Sequence, residues 1–209
     1  PVGFAIDRAG IVGEDGVTHQ GIFDIAYLRT IPNLAVMAPK DGDELEQMLE
    51  FAVELHKPVA IRYPRACTFL KGDVSAPLKL GKAQLIKEGK DFTIIALGSM
   101  VEVAQEAVEI LNSEGLSGTL VNIRFVAPLD IELIKSVCAK PKFIFTVEEG
   151  IKDTGLGSAI AQELDKQVRR IGLPSEFIPH GARSVLLEKY GLTASGIAAN
   201  IRQALKNNG

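Results

Sequence analysis

Short apolar segments alternate with helical patterns from the beginning of the chain. Residues 2–6, 34–37 and 59–63 are apolar runs of strand length. The first of them suits a strand that is buried on both faces. Between the other two, apolar residues recur at helical spacing and form one stripe: Leu45, Met48, Leu49, Ala52 and Val53. Strands that alternate with helices predict βαβ units and a mostly parallel sheet with flanking helices, which is an α/β fold.

Capping residues mark the starts of several predicted helices. Thr18 can cap a helix that begins near His19. Asp41 and Ser99 are each followed three residues later by a glutamate, which is the capping-box pattern. We therefore expect helices to begin just after Thr18, Asp41 and Ser99.

The alternation continues in the second half of the chain. We expect strands over 81–87, 92–97, 118–123, 142–147 and 176–178, the first of them at a sheet edge. The further helices are expected from about Pro128, from about 156 to 171 and over 197–205.

Residues 71–80 separate two such α/β units. They contain glycine, aspartate, serine and proline and show little periodicity, which is typical of a linker. We therefore divide the chain into a first domain over 1–71, a linker over 72–80 and a second domain over 81–209.

Composition and charge exclude several classes of protein. The chain has 209 residues, of which 46% are hydrophobic and 23% charged, as in ordinary globular proteins. A net charge of −3 and the lack of a Lys/Arg run argue against nucleic-acid binding. No apolar run approaches the ~18 residues that a membrane span needs. Cys67 and Cys138 have no metal-binding spacing, so we expect reduced thiols in a cytoplasmic protein.

The first residues already form a strand pattern and the chain opens on Pro1 instead of methionine. A strand at a terminus normally pairs with preceding structure. We therefore expect the sequence to be part of a longer polypeptide.

The richest candidate chemistry lies in a glycine-rich loop over residues 7–21, directly after the first strand. It places Arg8, Glu14, Asp15 and His19 within a short, conformationally permissive segment. The adjacent carboxylates need not face the same way. One can hold the loop while the other meets a ligand, and a purely structural role is an equal alternative for each.

Two arginines follow the carboxyl ends of predicted parallel strands. Arg8 comes after the first strand and Arg65 after the third. Ligands of such sheets bind outside these strand ends, so the pair is a candidate clamp for a phosphate or a carboxylate. The alternative is a pair of exposed arginines at the starts of loops.

His19 is a candidate for proton transfer. It lies close to the expected start of a helix, where the positive end of the helix dipole favours the neutral imidazole. The alternative is a histidine that only anchors its loop.

Three further features have mainly structural interpretations. The turn over 154–158 resembles a phosphate loop, but the third glycine of GxGxxG and the Walker lysine are absent, which favours a tight packing turn. Glu148 and Glu149 follow a predicted strand, and a loop or subunit contact is favoured for them. For His180, loop packing or an interface is favoured over catalysis.

Several blocks resemble the transketolase group of thiamine-diphosphate enzymes. Two of them are GEDGVTHQ at 13–20 and LRTIPNL at 28–34. Other blocks are similar to the 1-deoxy-D-xylulose-5-phosphate synthase family within that group: DRAG at 7–10, RYPR at 62–65, VNIRFVAPLD at 121–130, VEE at 147–149 and FIPHG at 177–181. The resemblance spans nearly the whole chain.

The resemblance implies a reaction, partners and site roles. That family condenses pyruvate with D-glyceraldehyde 3-phosphate, with loss of CO2, as a homodimer. The chain corresponds to the end of the pyrimidine-binding domain and to the transketolase C-terminal domain. Arg8 and Arg65 would bind the substrate phosphate, His19 would assist proton transfer, and Asp15 would orient a substrate hydroxyl or the loop.

The resemblance also implies thiamine diphosphate and magnesium, whose ligands belong mainly to the family's N-terminal part. The family's Gly-Asp-Gly metal motif is absent, since Gly72-Asp73 lacks the third glycine. The chain alone is therefore expected to be inactive. Alternatives are a transketolase, a 2-oxo-acid dehydrogenase β-subunit and a non-catalytic binding or assembly module.

Overall fold

Two β-sheets carry the part of the chain that the computed structural model describes, residues 1–67 and 77–206. The strands of the first sheet are β1 (Gly3–Ile6), β2 (Ala35–Met37), β3 (Val59–Arg62) and β7 (Phe125–Ala127). Their order is β1-β3-β2-β7, and only β7 runs antiparallel to its neighbour. Because β1 and β3 are parallel neighbours, their carboxyl ends lie side by side.

The second sheet is larger and also mostly parallel. Its strands are β4 (Gln84–Lys87), β5 (Phe92–Ala96), β6 (Gly118–Asn122), β8 (Phe143–Ile151) and β9 (Val168–Leu173). Their order is β4-β6-β5-β8-β9, and β4 is the antiparallel edge strand. The predicted α/β class with mostly parallel sheets is confirmed.

Helices cover these sheets. They are α1 (Asp24–Leu28), α2 (Gly42–Glu54), α3 (Met100–Ser113), α4 (Ile131–Cys138), α5 (Leu156–Glu163), α6 (Arg183–Lys189) and α7 (Ala194–Lys206). Alternate residues of a buried strand face opposite sides. Accordingly Ile94 of β5 packs with α3 and α7, whereas Ile95 packs with α4, α5 and residues of the first sheet. The second of these cores joins the two halves of the chain.

The first strand is present but not buried as predicted. Residues 3–5 of β1 are exposed, and half of the Phe4 side chain is accessible. The prediction of a strand buried on both faces was wrong because β1 is an edge strand within the described part of the chain. Apolar composition alone does not distinguish an edge strand from a central one.

Two predicted elements near the end of the chain are also wrong. The helix expected over 156–171 stops at Glu163, and 168–173 pairs with β8 as strand β9. The strand expected over 176–178 is a loop. β7 and α6 are elements that the sequence pattern did not predict. In each case, pairing with distant residues decided between conformations that short apolar segments leave open.

The predicted caps had different outcomes. Asp41 caps α2, since its carboxylate accepts a hydrogen bond from the Glu44 amide. Thr18 does not cap a long helix: 17–19 form a 3-10 turn, and α1 begins only at Asp24. Ser99 precedes α3, but its hydroxyl donates to the Glu149 carboxylate at 3.3 Å instead of capping the helix.

Most of the predicted linker over 72–80, residues 72–76, lies outside the described residues. Among the described helices, none has the length and apolar character to cross a membrane.

Candidate functional site

The glycine-rich loop closes on itself at the end of β1. The amide of Gly10 donates to the carbonyl of Gly21 at 2.7 Å, and the amide of Gly21 donates to the carbonyl of Arg8 at 2.9 Å. A Cβ on residue 21 would lie 2.4 Å from that carbonyl oxygen, so only glycine fits this crossing. The two ends of the loop, at residues 8–10 and at residue 21, are therefore hydrogen-bonded to each other beside β1.

Asp15 joins the two arginines that the sequence placed at neighbouring strand ends. Its carboxylate accepts a hydrogen bond from Arg8 Nε at 2.9 Å and another from Arg65 Nη1. Asp7 also accepts from Arg8 Nη1, at 2.6 Å. The structure thus brings together Arg8, Asp15 and Arg65, three of the four predicted site residues, and we call them the arginine–aspartate triad.

The triad is accessible and electrostatically coupled. The Arg65 side chain is 64% exposed and that of Arg8 38%, whereas that of Asp15 is 16% exposed. The Arg65 guanidinium, followed by that of Arg8, lowers the pKa of the Asp15 carboxyl below its ordinary value. A guanidinium carries five N–H groups, and Asp15 takes one from each arginine. The arrangement can therefore align two cations toward an anion that arrives from solvent.

His19 lies on the same loop but is not part of the triad. It is exposed, and its Nδ1 lies 3.2 Å from the Thr18 hydroxyl. No hydrogen bond described for 1–67 and 77–206 joins His19 to the triad. The expected position at a helix N-terminus was wrong, because His19 ends a 3-10 turn and α1 begins later, at Asp24.

Glu148 and Glu149 are strand residues and not loop residues as predicted. β8 continues through both to Ile151, and both side chains are buried. The Glu148 carboxylate accepts from the amides of Leu156 and Gly157, each at 2.8 Å. It therefore caps α5, and the packing-turn interpretation of 154–158 is confirmed.

Glu149 contacts the glycine-rich loop. Its Oε1 accepts from the amide of Ile11 at 2.7 Å, and its Oε2 accepts from Arg183 Nη2 at 2.6 Å. Burial raises the pKa of Glu149, and the neighbouring Arg183 charge opposes that rise. Sequence reasoning missed the role of Arg183 entirely, since no local pattern marks an arginine that contacts a loop far away in the chain.

A second buried pair lies beneath the loop. Arg62 donates through Nε to Asp24 at 2.8 Å, and through Nη2 to the carbonyls of Gly21 and Glu149, at 2.7 and 2.8 Å. Both side chains of the pair are about 95% buried. Sequence reasoning also missed this pair. The RYPR block contains Arg62, but nothing local indicates its partner.

A cleft of about 690 Å³ opens beside Arg65. Lys40, Arg65 and Arg183 contribute cationic groups to its wall, and Ser99, the residue before α3, also lines it. Within the described residues, no group of three or more His, Cys, Asp or Glu side chains is placed to hold a metal ion. His180 is exposed in the loop before α6.

These features define an α/β protein with two arginines and a shared aspartate at neighbouring parallel strand ends. Residues 1–69 match the family model of the transketolase pyrimidine binding domain, and residues 81–197 match that of the transketolase C-terminal domain. The chain belongs to the transketolase family.

Individual relatives agree with this assignment. The chain is 48% identical over 97% of its length to 1-deoxy-D-xylulose-5-phosphate synthase of Heliobacterium modesticaldum. It is 46% identical over 99% of its length to the synthase of Caldanaerobacter subterraneus subsp. tengcongensis. It spans 32% and 34% of those two proteins, about a third of their lengths.

A solved structure shares the fold. It is described as a split gene transketolase, inactive beta4 tetramer, and is 34% identical to this chain with a TM-score of 0.86. The match covers 98% of this chain and 66% of that one.

Proposed function

We propose that the chain is part of a thiamine-diphosphate-dependent transferase. The proposed reaction condenses pyruvate with D-glyceraldehyde 3-phosphate, with decarboxylation, to 1-deoxy-D-xylulose 5-phosphate. The names of the relatives support this reaction. The arginine–aspartate triad supports the part of it that this chain performs, because paired guanidiniums at a sheet edge suit a phosphate.

Arg8 and Arg65 bind the phosphate of glyceraldehyde 3-phosphate in this proposal. Asp15 keeps the two guanidiniums close together, although their charges repel, by accepting from both. A phosphate has three outer oxygens, so it can accept from both arginines while Asp15 retains its own bonds. The triad is thus prepared for the substrate before binding, which reduces the ordering cost of binding.

His19 assists proton transfer at the reacting part of the substrate. His19 is exposed on the same loop that carries Arg8 and Asp15, which supports this role. Asp15 takes part by orienting the loop or a substrate hydroxyl. An imidazole suits this work because it exchanges protons near neutral pH.

Within the described residues, no three His, Cys, Asp or Glu side chains are placed together to hold a metal ion. We propose that the thiamine diphosphate and magnesium sites lie in another part of the enzyme, which agrees with the chain's coverage of its relatives. In this proposal the described residues bind the acceptor substrate, glyceraldehyde 3-phosphate.

A second candidate is a subunit that is inactive without its counterpart and assembles with copies of itself. The description of the solved neighbour favours it, since that protein is an inactive tetramer from a split gene. Both candidates predict no turnover by this chain alone. The two candidates differ in the make-up of the whole enzyme. In the first candidate, the enzyme is a single longer polypeptide that is expected to form a homodimer. In the second candidate, it consists of two kinds of subunit.

The phosphate role is tested by Arg65→Ala in the complete enzyme. Loss of a charged hydrogen bond is worth ~1.5–3 kcal/mol, so the KM for glyceraldehyde 3-phosphate should rise about 10- to 100-fold. The KM for pyruvate should change little. Steady-state kinetics with each substrate varied in turn measures both.

Arg202→Ala is the matched control, because Arg202 pairs with Glu114 on the exposed surface. It should leave both KM values unchanged. If Arg65→Ala raised the two KM values equally, the assignment of the triad to the phosphate would be wrong.

A further inference from the structure

The peptide groups of Ile11 are held from both sides by residues of the second half of the chain. The Ile11 amide donates to Glu149 Oε1 at 2.7 Å, and the Ile11 carbonyl accepts from Arg183 Nε at 3.0 Å. Glu149 and Arg183 also bind each other, at 2.6 Å. These three residues therefore form a closed set of hydrogen bonds around the backbone of one residue of the glycine-rich loop.

The contact is too close for a side chain at residue 10 or residue 13 of the loop. A Cβ on residue 10 would lie 2.4 Å from Glu149 Cδ, and a Cβ on residue 13 would lie 2.0 Å from the carbonyl oxygen of Gly181. Gly181 also donates its amide to the Gly13 carbonyl at 3.3 Å. The loop before α6 and the Glu149 carboxylate thus form a matched surface against residues 10–13.

This anchored segment leads directly into the triad. Residues 13–15 form a single 3-10 turn, in which the Asp15 amide donates to the Val12 carbonyl at 3.1 Å. That turn sets the direction of the Asp15 carboxylate, which meets Arg8 and Arg65. A displacement of Ile11 would therefore move Asp15, and with it the spacing of the two guanidiniums.

We propose that Glu149 and Arg183 are positioning residues that hold the 10–15 segment so that Asp15 keeps Arg8 and Arg65 in a phosphate-binding arrangement. The inference rests on the proposed function, because it concerns how the triad binds its phosphate. Their hydrogen bonds to the Ile11 amide and carbonyl act on the triad by way of Asp15, so we call them positioning residues.

Glu149 and Arg183 depend on each other. The Glu149 side chain is only 2% exposed, and a buried carboxylate is costly unless charged or polar donors surround it. Arg183, which is 35% exposed, supplies the charge and also reaches the Ile11 carbonyl. A lysine at this position would keep the charge, but it lacks the planar fork that makes both contacts.

The test compares Glu149→Gln, Arg183→Gln and Arg183→Lys in the complete enzyme, with Arg202→Gln as the control from the exposed pair with Glu114. Small misplacements of binding groups can cost one to two powers of ten. We expect Arg183→Gln to raise the KM for glyceraldehyde 3-phosphate about tenfold, with little change for pyruvate. Arg183→Lys should have an intermediate effect, and Arg202→Gln none.

Two readouts do not depend on turnover. Hydrogen exchange of the amides in 10–15 should become about tenfold faster in Glu149→Gln and Arg183→Gln, whereas amides of β5 should be unaffected. Inorganic phosphate, titrated by calorimetry, should bind about tenfold more weakly. If Arg183→Gln fails to fold, the isosteric Glu149→Gln and the charge-preserving Arg183→Lys provide the same comparison.

The outcomes separate this inference from the proposed function. If Arg65→Ala weakens phosphate binding and Arg183→Gln and Glu149→Gln do not, the positioning inference is wrong and the phosphate site stands. If Arg65→Ala has no effect, the phosphate site itself is wrong. Equal rises of both KM values in the Arg183 and Glu149 variants, with a lowered Tm, would indicate a structural role only and overturn the inference.

Discussion

Asp15 is the residue on which the candidate site depends most. Its single carboxylate accepts hydrogen bonds from guanidiniums that follow two different strands. Without it, two like charges would face each other at the edge of the sheet, and the anion would have to draw them together. An acidic residue therefore belongs to the proposed anion site because it orders the two cations.

The pH dependence of the triad follows from the lowered pKa of Asp15. The folded pKa lies below the ordinary value of 3.8, so the ionised carboxylate stabilises the loop fully above pH 3.8. This contribution is lost as the pH falls through the folded pKa. NMR signals of the Arg8 and Arg65 Nε–H groups should therefore stay constant from pH 7 to 5 and shift only below about 3.8.

Methyl signals of the buried core residue Ile94 report global unfolding and provide the internal control. In Asp15→Asn, the Arg65 signal should already differ at pH 7 and lose this acid response, whereas Arg8 keeps its contact with Asp7. A shift of the arginine signals between pH 7 and 5 in the unsubstituted protein would contradict the assignment.

Glu148 and Glu149 show how neighbouring identical residues take different roles. Successive side chains of a strand point to opposite faces. Glu148 faces the start of α5, and Glu149 faces the glycine-rich loop and α6. Burial raises the pKa of both carboxyls, and different donors oppose this rise in each. Backbone amides oppose it for Glu148, and Arg183 and the Ile11 amide oppose it for Glu149.

At the scale of elements, the N-terminus of α5 is capped by a carboxylate from strand β8, that of Glu148. The first amides of a helix lack partners within the helix and attract negative charge. Glu148 satisfies two of them, at Leu156 and Gly157. The start of α5 looks like a phosphate loop in sequence, but the Glu148 carboxylate takes the position that a phosphate would take.

Gly155→Ala tests this cap. A Cβ at residue 155 would lie 2.0 Å from Glu148 Oε2, so the carboxylate must move away from the helix. Leaving a buried charged group poorly bonded costs about 1–3 kcal/mol or more, and we expect a loss of that size in the free energy of unfolding. Urea unfolding monitored by circular dichroism measures it.

Gly3→Ala is the control, because its new Cβ would meet only Val59 Cγ1, at 4.0 Å. That variant should change the free energy of unfolding by less than about 0.5 kcal/mol. Equal small effects of the two substitutions would show that the Glu148 cap does not stabilise the protein.

At the scale of the whole molecule, a buried ion pair joins the two sequence regions. Glu44 of α2 is fully buried and accepts from Arg124 Nε at 2.7 Å and from Asn122 Nδ2 at 3.0 and 3.1 Å. Arg124 lies just before β7, the strand that the second region adds to the first sheet. The two regions are therefore joined by the β2–β7 strand pairing and by the buried Glu44–Arg124 ion pair.

Arg124→Met tests the contribution of the Glu44–Arg124 ion pair to stability. It leaves the Glu44 carboxylate buried without its cationic partner, and breaking such a pair costs about 3–5 kcal/mol. Arg202→Met, which breaks the exposed pair with Glu114, should cost only about 0–1 kcal/mol. Urea midpoints for both variants give the comparison. Similar losses for the two would show that burial of the Glu44–Arg124 pair adds nothing to stability.

The sequence by itself determined the local features of this protein. Periodicity identified most strands, the helix α2 with its Asp41 cap, and the α/β class. The order of elements placed Arg8 and Arg65 at the ends of strands that are indeed neighbours. These features are readable because each depends on the burial pattern of a short segment, and the spacing of apolar residues records that pattern.

Only the tertiary structure decided which distant groups meet. Ile11 and Glu149 are 138 positions apart, and Asp15 and Arg65 are 50 apart. Strand β7 and the Glu44–Arg124 pair likewise depend on contacts across the chain. Such contacts leave no local periodicity, because an arginine or a glutamate has the same sequence neighbours whether it is solvated or buried against a partner. The glycine-rich loop was therefore recognisable from the sequence, but the residues that hold it in place were not.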